Sequence, residues 1–287
     1  MRFLSNQRID NNMALVVNAF AGGTKPARPV SKSAFFDAMN RAQSTTIRLL
    51  DADPYIEFEN AELVDLLVAR TVFSENEVSE QRHLFAPSER ETIRARIASA
   101  KQLILEADPN LWRAIQRIVG SVAAYRIPDR DGGSVSCCIG LIWLSPTQEW
   151  TDAYCAEMLV HEFIHNSVFL DDMVNCIMPS PDLLERPEAQ TISAIRKTKR
   201  AYDKAFHSAC VTAGIMYFYH KRGSDVESMR YLPDLKRTVD DLARNDALMR
   251  DMGDDVLSEN GRGILAELTR FVAGPPDYAS ITAALAS

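Results

Sequence analysis

The chain has 287 residues, 46% of them hydrophobic and 25% charged, the proportions of a folded globular protein. They exclude disorder as the main state, a collagenous repeat and a disulfide framework, and no apolar run reaches the roughly 18 residues that a bilayer crossing needs. A net charge of −7 argues against nucleic acid as the partner, because phosphate binding needs a positive face.

Residues 1–30 read as a flexible N-terminal arm. The apolar stretch 13–21 is short, contains Asn18 and follows Asp10, so it lacks the basic-then-apolar order of a secretory signal. Gly22, Gly23, Pro26 and Pro29 complete the arm as a link. From 31 to 287 a single, largely helical domain is expected. Helical spacing covers 31–50, 61–70, 88–106 and 111–126. Ser88 with Glu91 suggests a capping box, and Asp108-Pro109-Asn110 a helix start.

The pattern then changes. Pro128 through Gly133 is turn-forming, and 134–144 is a short apolar run with β-formers. It predicts a buried strand, paired with 122–127. A long helix follows from about 149–151 to 171, then a loop holding Pro179, Pro181 and Pro187, then helices over 199–221, 232–250 and 263–272. The expected fold class is mainly α with a small β element (α+β). Its buried central helix is preceded by a short strand or hairpin, with a metal-site core at about 135–220.

The five cysteines include no C-x-x-C pair. Cys137 and Cys138 are adjacent, and Cys155, Cys176 and Cys210 read as small core residues. A reduced, cytoplasmic protein is expected, without a membrane partner.

The long helix contains His161-Glu162-Phe163-Ile164-His165, an H-E-x-x-H signature. Residues four apart on a helix differ by about 40° in direction and about 6 Å in height. The two imidazoles therefore project from one face and can share a metal ion. Glu162, about 100° away, can reach a metal-bound water or orient a ligand. The surrounding Met158, Leu159, Val160, Phe163, Ile164 and Val168 mark the helix as buried, and buried imidazoles need partners.

Three residues are candidates for a third ligand. Asp171 lies six residues after the second histidine, but Val168 stands where a turning glycine would be needed. Glu185 has a twenty-residue spacing, but Pro187 breaks a helix there. His207 sits on the apolar stripe of a later helix. His83 lies in a polar stretch, and His220 at a helix C-terminus that favours cations. Just before His207, five of nine residues from Arg196 to Lys204 are basic. Positive charge at a helix N-terminus opposes the dipole, which points to an anion nearby, and arginine grips carboxylates bidentately.

Three features carry a family resemblance. They are the run 139–145 leading into His161-Glu-Phe-Ile-His165, then Ser193-Ala-Ile-Arg196 with Arg200 nearby, then Phe206-His207-Ser208 opening a helix about forty residues on. Over about 135–220 the chain resembles the α-ketoglutarate-dependent HExxH-type peptide β-hydroxylases, the HExxH motif-containing peptide-modification proteins. Lys199-Arg200-Ala201 departs from the Arg-Pro expected there.

The resemblance implies an Fe(II) and α-ketoglutarate-dependent oxygenase that uses O₂ to hydroxylate a side chain, at Cβ, of a ribosomally made natural-product precursor peptide, with or without a leader peptide. His161, His165 and His207 would be the metal ligands. Arg196, or second Arg200, would hold the distal carboxylate of α-ketoglutarate, and Glu162 would orient a ligand or water. The competing reading is an HExxH zinc metallopeptidase, with Zn²⁺ as cofactor, Glu162 as general base and Tyr202 or an arginine at the oxyanion. Trp150, Tyr154, Asn166 and Tyr202 complete the candidate residues, as contacts to the peptide substrate.

Overall fold

The computed structural model describes residues 1–20, 29–50 and 52–287. The chain forms two compact units, one of residues 10–166 and the other of residues 1–9 with 167–287. The first unit boundary falls inside helix α1 (Asn6–Phe20) and the second inside helix α7 (Asp152–Asn175). The described residues are mainly helical with a small mixed sheet, as the sequence predicts. No helix among them is long and apolar enough to cross a membrane.

The N-terminal segment differs from the expected arm. Ile9, Met13, Val16 and Val17 are buried at helical spacing and make α1 a packed element. Residues 21–28, the rest of that arm, lie outside the described residues.

In the unit 10–166, α1 is followed by α2 (Lys32–Gln43), β1 (Tyr55–Glu57), α3 (Ala61–Ala69), α4 (Glu75–Val78), α5 (Pro87–Ala107) and α6 (Pro109–Ile118). Then come β2 (Ser121–Ala124), β3 (Gly132–Gly133), β4 (Leu141–Leu144) and the first part of α7. Two helices stop short of their expected ends. Ser44 turns left-handed (φ 53°) to close α2 before the β-branched Thr45-Thr46. α6 ends at Ile118, and Val119-Gly120 lead into β2. α5 starts at Pro87, one residue before the predicted cap, with the Glu89 carboxylate accepting the Ala86 N–H at 2.7 Å. Asp108 caps α6 as expected, accepting the Asn110 N–H at 2.8 Å.

The sheet has the order β1-β2-β4-β3. β2 and β4 do pair, but in parallel, with Val122 opposite Ile142. β1, unpredicted, pairs parallel to β2, and β3 antiparallel to β4. Phe36 of α2 fills the space over Gly120 and Gly140, where a Cβ would collide with its ring. Gly140, at φ +101°, is the residue that turns the chain into β4.

In the other unit, the second part of α7 is followed by the hairpin β5 (Thr191–Ile192) and β6 (Lys199–Arg200). α8 (Tyr202–Lys221), α9 (Asp225–Met229), α10 (Leu232–Asp251), α11 (Glu259–Val272) and α12 (Tyr278–Ala286) complete it. Every residue of α8 from Ala205 to Tyr219 is buried, the mark of a helix enclosed on all sides. Cys176 departs from the predicted core set: it is exposed, with φ 51°, just past the end of α7, whereas Cys155 and Cys210 are buried.

Candidate metal centre

On α7 the rings of His161 and His165 stand 5.1 Å apart, centroid to centroid, and both are half-buried. One helix face thus presents two imidazoles at a separation that one metal ion can bridge. Glu162 between them is buried, with Oε1 3.8 Å from His161 Nε2. Its Oε2 has no hydrogen-bond partner among the described residues. Burial pushes its carboxyl up to about 8, against a hydrogen bond from Ser134 that pulls the other way. Two imidazoles beside an unsatisfied buried carboxylate oxygen form a donor set that suits a divalent transition metal and a water or ligand bound to it.

The rotation of α7 is fixed by Asn166 and Ser134. The Asn166 Oδ1 accepts the Gly140 N–H at 2.6 Å, and its Nδ2 donates towards Ser134 Oγ (2.9 Å), Glu162 O (3.0 Å) and Leu141 O (3.2 Å). Ser134 Oγ donates to Glu162 O at 3.2 Å. These bonds tie the start of β4 to the motif turn of the helix. Asn166 is wholly buried, so the substrate contact expected of it gives way to a structural role. Ser134 escaped the sequence reading, because nothing in the turn signal around it names a partner.

His207 lies in the other unit, on α8. It is buried and stacks on Phe169 with ring centroids 4.7 Å apart. Burial lowers its pKa to about 4, so the imidazole is neutral at pH 7. Among the described residues, no group of three or more His, Cys, Asp or Glu side chains comes together to hold a metal ion.

The Ser193–Arg196 turn is fastened beside His207. Ser208 Oγ lies 2.9 Å from Ser193 Oγ and accepts the Ile195 N–H at 3.0 Å, while Ser193 Oγ accepts the Arg196 N–H at 3.2 Å. Lys197 closes the turn with φ 57° and pairs with Asp234 at 2.8 Å. The Arg196 side chain is exposed. Arg200 is half-buried on β6 and lines a separate small hollow with Glu185, Lys199 and Lys204. Arg196 is not among the residues that line this hollow.

Both acidic candidates for a third ligand fall away. Asp171 is buried but accepts from Arg8 Nε (2.7 Å), Arg8 Nη2 (3.3 Å), Asn175 Nδ2 (2.8 Å) and Asn260 Nδ2 (3.2 Å). Its oxygens are committed to protein donors. Glu185 is exposed in the loop before β5, with no helix to orient it. Tyr202 is also reassigned. It is fully buried and its hydroxyl donates to Leu242 O at 3.0 Å, so it is a packing residue rather than an oxyanion or substrate contact.

Trp150 and Tyr154 do face a surface concavity and meet edge to face, with centroids 5.0 Å apart. Tyr154 donates its hydroxyl to Asp131 at 3.0 Å. The two remaining histidines hold local contacts. His83 sits against Tyr125 with Nδ1 3.1 Å from Val78 O, and His220 stacks on Tyr278 and meets Asp225 at 2.7 Å. The chain matches no known protein-family model and no curated protein.

Proposed function

We propose that the protein is an Fe(II) and α-ketoglutarate-dependent oxygenase that hydroxylates a side chain of a peptide, at Cβ, in a ribosomally made precursor. The observation that carries this reading is the hydrogen-bonded link between Ser208, next to His207, and the turn bearing Arg196. The last two features of the family resemblance, the Ser193–Arg196 turn and the His207-Ser208 pair, are thereby one physical assembly. A zinc peptidase has no need of that assembly, whereas an oxygenase needs a histidine ligand and a carboxylate-binding arginine held in fixed relation.

In this reading His161, His165 and His207 hold the metal, and Arg196 holds the distal carboxylate of α-ketoglutarate, with Arg200 as the second choice. Bound iron supplies activation of O₂ coupled to oxidative decarboxylation of α-ketoglutarate, giving succinate, CO₂ and the hydroxylated product. The chain's own part is orientation. Asn166 and Ser134 set the phase of α7, so that both histidines address one point. Burial keeps His207 unprotonated and therefore able to act as a ligand. Glu162 stands beside His161 in a position to hold a bound water or orient the ring.

The test is anaerobic reconstitution with Fe(II), followed by α-ketoglutarate and O₂, with succinate as the readout. Iron-dependent succinate that disappears in His207→Ala is the expected result. Arg196→Ala should raise the α-ketoglutarate requirement by at least about tenfold, the weight of a lost bidentate contact; an unchanged requirement would move the role to Arg200. The peptidase reading makes the opposite prediction for Glu162→Gln. It requires near-complete loss of proton transfer and hydrolysis, whereas the oxygenase keeps measurable α-ketoglutarate turnover. Absence of succinate together with zinc-dependent cleavage of a denatured protein would replace this proposal with the peptidase.

A further inference from the structure

One cleft of the unit 10–166 is lined by neither of the motif histidines. It has a volume of about 790 Å³, within the range of real ligand sites. It opens at the carboxyl ends of the parallel strands β2 and β4, between the segments 126–131 and 145–148. The carboxyl ends of parallel strands are where open α/β sheets leave room for ligands.

Its chemistry is mixed. Phe85, Ile93, Ile127 and Pro146 give it a buried apolar floor. Three guanidinium groups line it, and two are spent. Arg126 pairs with Glu89 at 2.6 Å and Arg130 with Glu77 at 3.1 Å. Arg96 makes no ion pair among the described residues; its Nη1 donates to Thr147 O at 2.7 Å, leaving its other donors for a ligand. The lining also carries the carboxylates Asp129 and Asp131, the latter accepting from Tyr154, so the apolar floor beside the uncommitted Arg96 guanidinium selects an apolar group next to one carboxylate seated at Arg96.

The shape selects an extended chain. The cleft continues into a second concavity through the shared residues Asp131 and Thr147, and that concavity ends at Trp150 and Tyr154. Tyr154 precedes His161 by two helical turns on the same face of α7, about 10 Å along the axis. β3, which follows Asp131, is an outer strand of the sheet and among the described residues pairs only with β4. Its other edge offers backbone groups to an added strand.

We propose that this cleft binds a segment of the peptide substrate remote from the hydroxylated residue, seating an apolar side chain on the Phe85–Ile93–Ile127–Pro146 floor and an acidic side chain on Arg96. The proposal rests on the peptide-oxygenase reading for the identity of its occupant. A span of several extended residues, at about 3.3 Å each, separates the anchored segment from the histidine pair. The anchor thus supplies affinity without touching the reacting atoms.

Binding is measured by fluorescence anisotropy on the full-length, metal-free protein with no α-ketoglutarate present, so its outcome is independent of the oxygenase chemistry. The probe is a labelled heptapeptide, Ser-Glu-Leu-Phe-Glu-Leu-Gly, with a version in which both Glu are Lys. Saturable binding of the acidic peptide is expected, weakened about tenfold or more by Arg96→Glu. The Lys peptide should recover that loss on the Arg96→Glu protein. Arg96→Gln, milder at this half-exposed site, should give an intermediate affinity and guards against a folding defect in the charge reversal. Equal binding to wild type and both variants, or no saturable binding, overturns the proposal. So does 4-phenylbutyrate binding as tightly as the peptide with the same Arg96 dependence, which would make the cleft a site for a small organic acid. Succinate formation without peptide binding would leave the oxygenase standing and remove the anchor; binding without succinate would do the reverse.

Discussion

Two of the buried carboxylates of helix α7, Asp171 and Glu162, look alike in sequence and are held in opposite ways. Asp171 accepts from Arg8, Asn175 and Asn260, so its oxygens are satisfied within its unit. Glu162 is nearly as buried, yet one of its oxygens has no hydrogen-bond partner among the described residues and its carboxyl is pushed up to about 8. A carboxylate with a full set of donors holds a structure together. One that is desolvated and unsatisfied costs stability, and such costs gather where a ligand or a reaction supplies the missing partner. In the proposed reading, the contrast puts Asp171 in the scaffold and Glu162 beside the chemistry.

Replacing each by its amide turns that contrast into a difference of sign. Asp171→Asn removes the charge that Arg8 grips and is expected to destabilise the protein by about 4 kcal/mol, the range for breaking a buried pair. Urea denaturation at pH 7 measures it. A loss below about 1 kcal/mol would mean that the Arg8–Asp171 contact contributes little and that Asp171 is available after all.

Glu162→Gln should act in the other direction. In metal-free wild type the folded state keeps the Glu162 proton up to about pH 8, whereas the unfolded chain releases it near the ordinary carboxylate value of 4.5. The folded state therefore binds more protons throughout that window. Its stability is full below about pH 4.5 and falls as pH rises towards 8, by about 1.4 kcal/mol per pH unit. The glutamine variant lacks this term. It should be more stable than wild type by about 3 kcal/mol at pH 7, with the gap closing as the pH is lowered to 4.5. Parallel pH profiles for the two proteins would show that Glu162 is not held protonated, and the contrast with Asp171 would then lose its basis.

The sequence separates these two residues only in part. The His161–His165 spacing is local, and one helical turn converts it into geometry without help from the rest of the chain. Helices α5, α7, α8 and α10 likewise follow from periodicity. What decides the fate of Asp171 comes from positions 8 and 260, and what anchors Arg196 comes from Ser208. Neither pairing leaves a periodic trace. β1 is three residues long, too short to announce itself, and the parallel pairing of β2 with β4 is a tertiary choice that alternation cannot express. The buried role of Asn166 depends on the N–H of Gly140, which an apolar helical context does not reveal.

The smallest effect belongs to Tyr202, and it asks whether satisfaction really separates scaffold from chemistry. In sequence it sits five residues before His207, among basic side chains, and a hydroxyl there suits an oxyanion. In the structure its hydroxyl is already spent on Leu242 O within the core. By the standard applied to Asp171 it is scaffold. Tyr202→Phe keeps the ring and its packing and leaves one carbonyl without its donor, a cost of about 1 kcal/mol, read as a small shift in the urea midpoint at unchanged slope. Turnover of α-ketoglutarate, or peptide hydrolysis if that is the reaction, should be unaltered at saturating substrate. A fall of about a hundredfold with no change in stability would return the hydroxyl to the site. It would also show that a protein hydrogen bond in the resting structure is not enough to exclude a residue from catalysis.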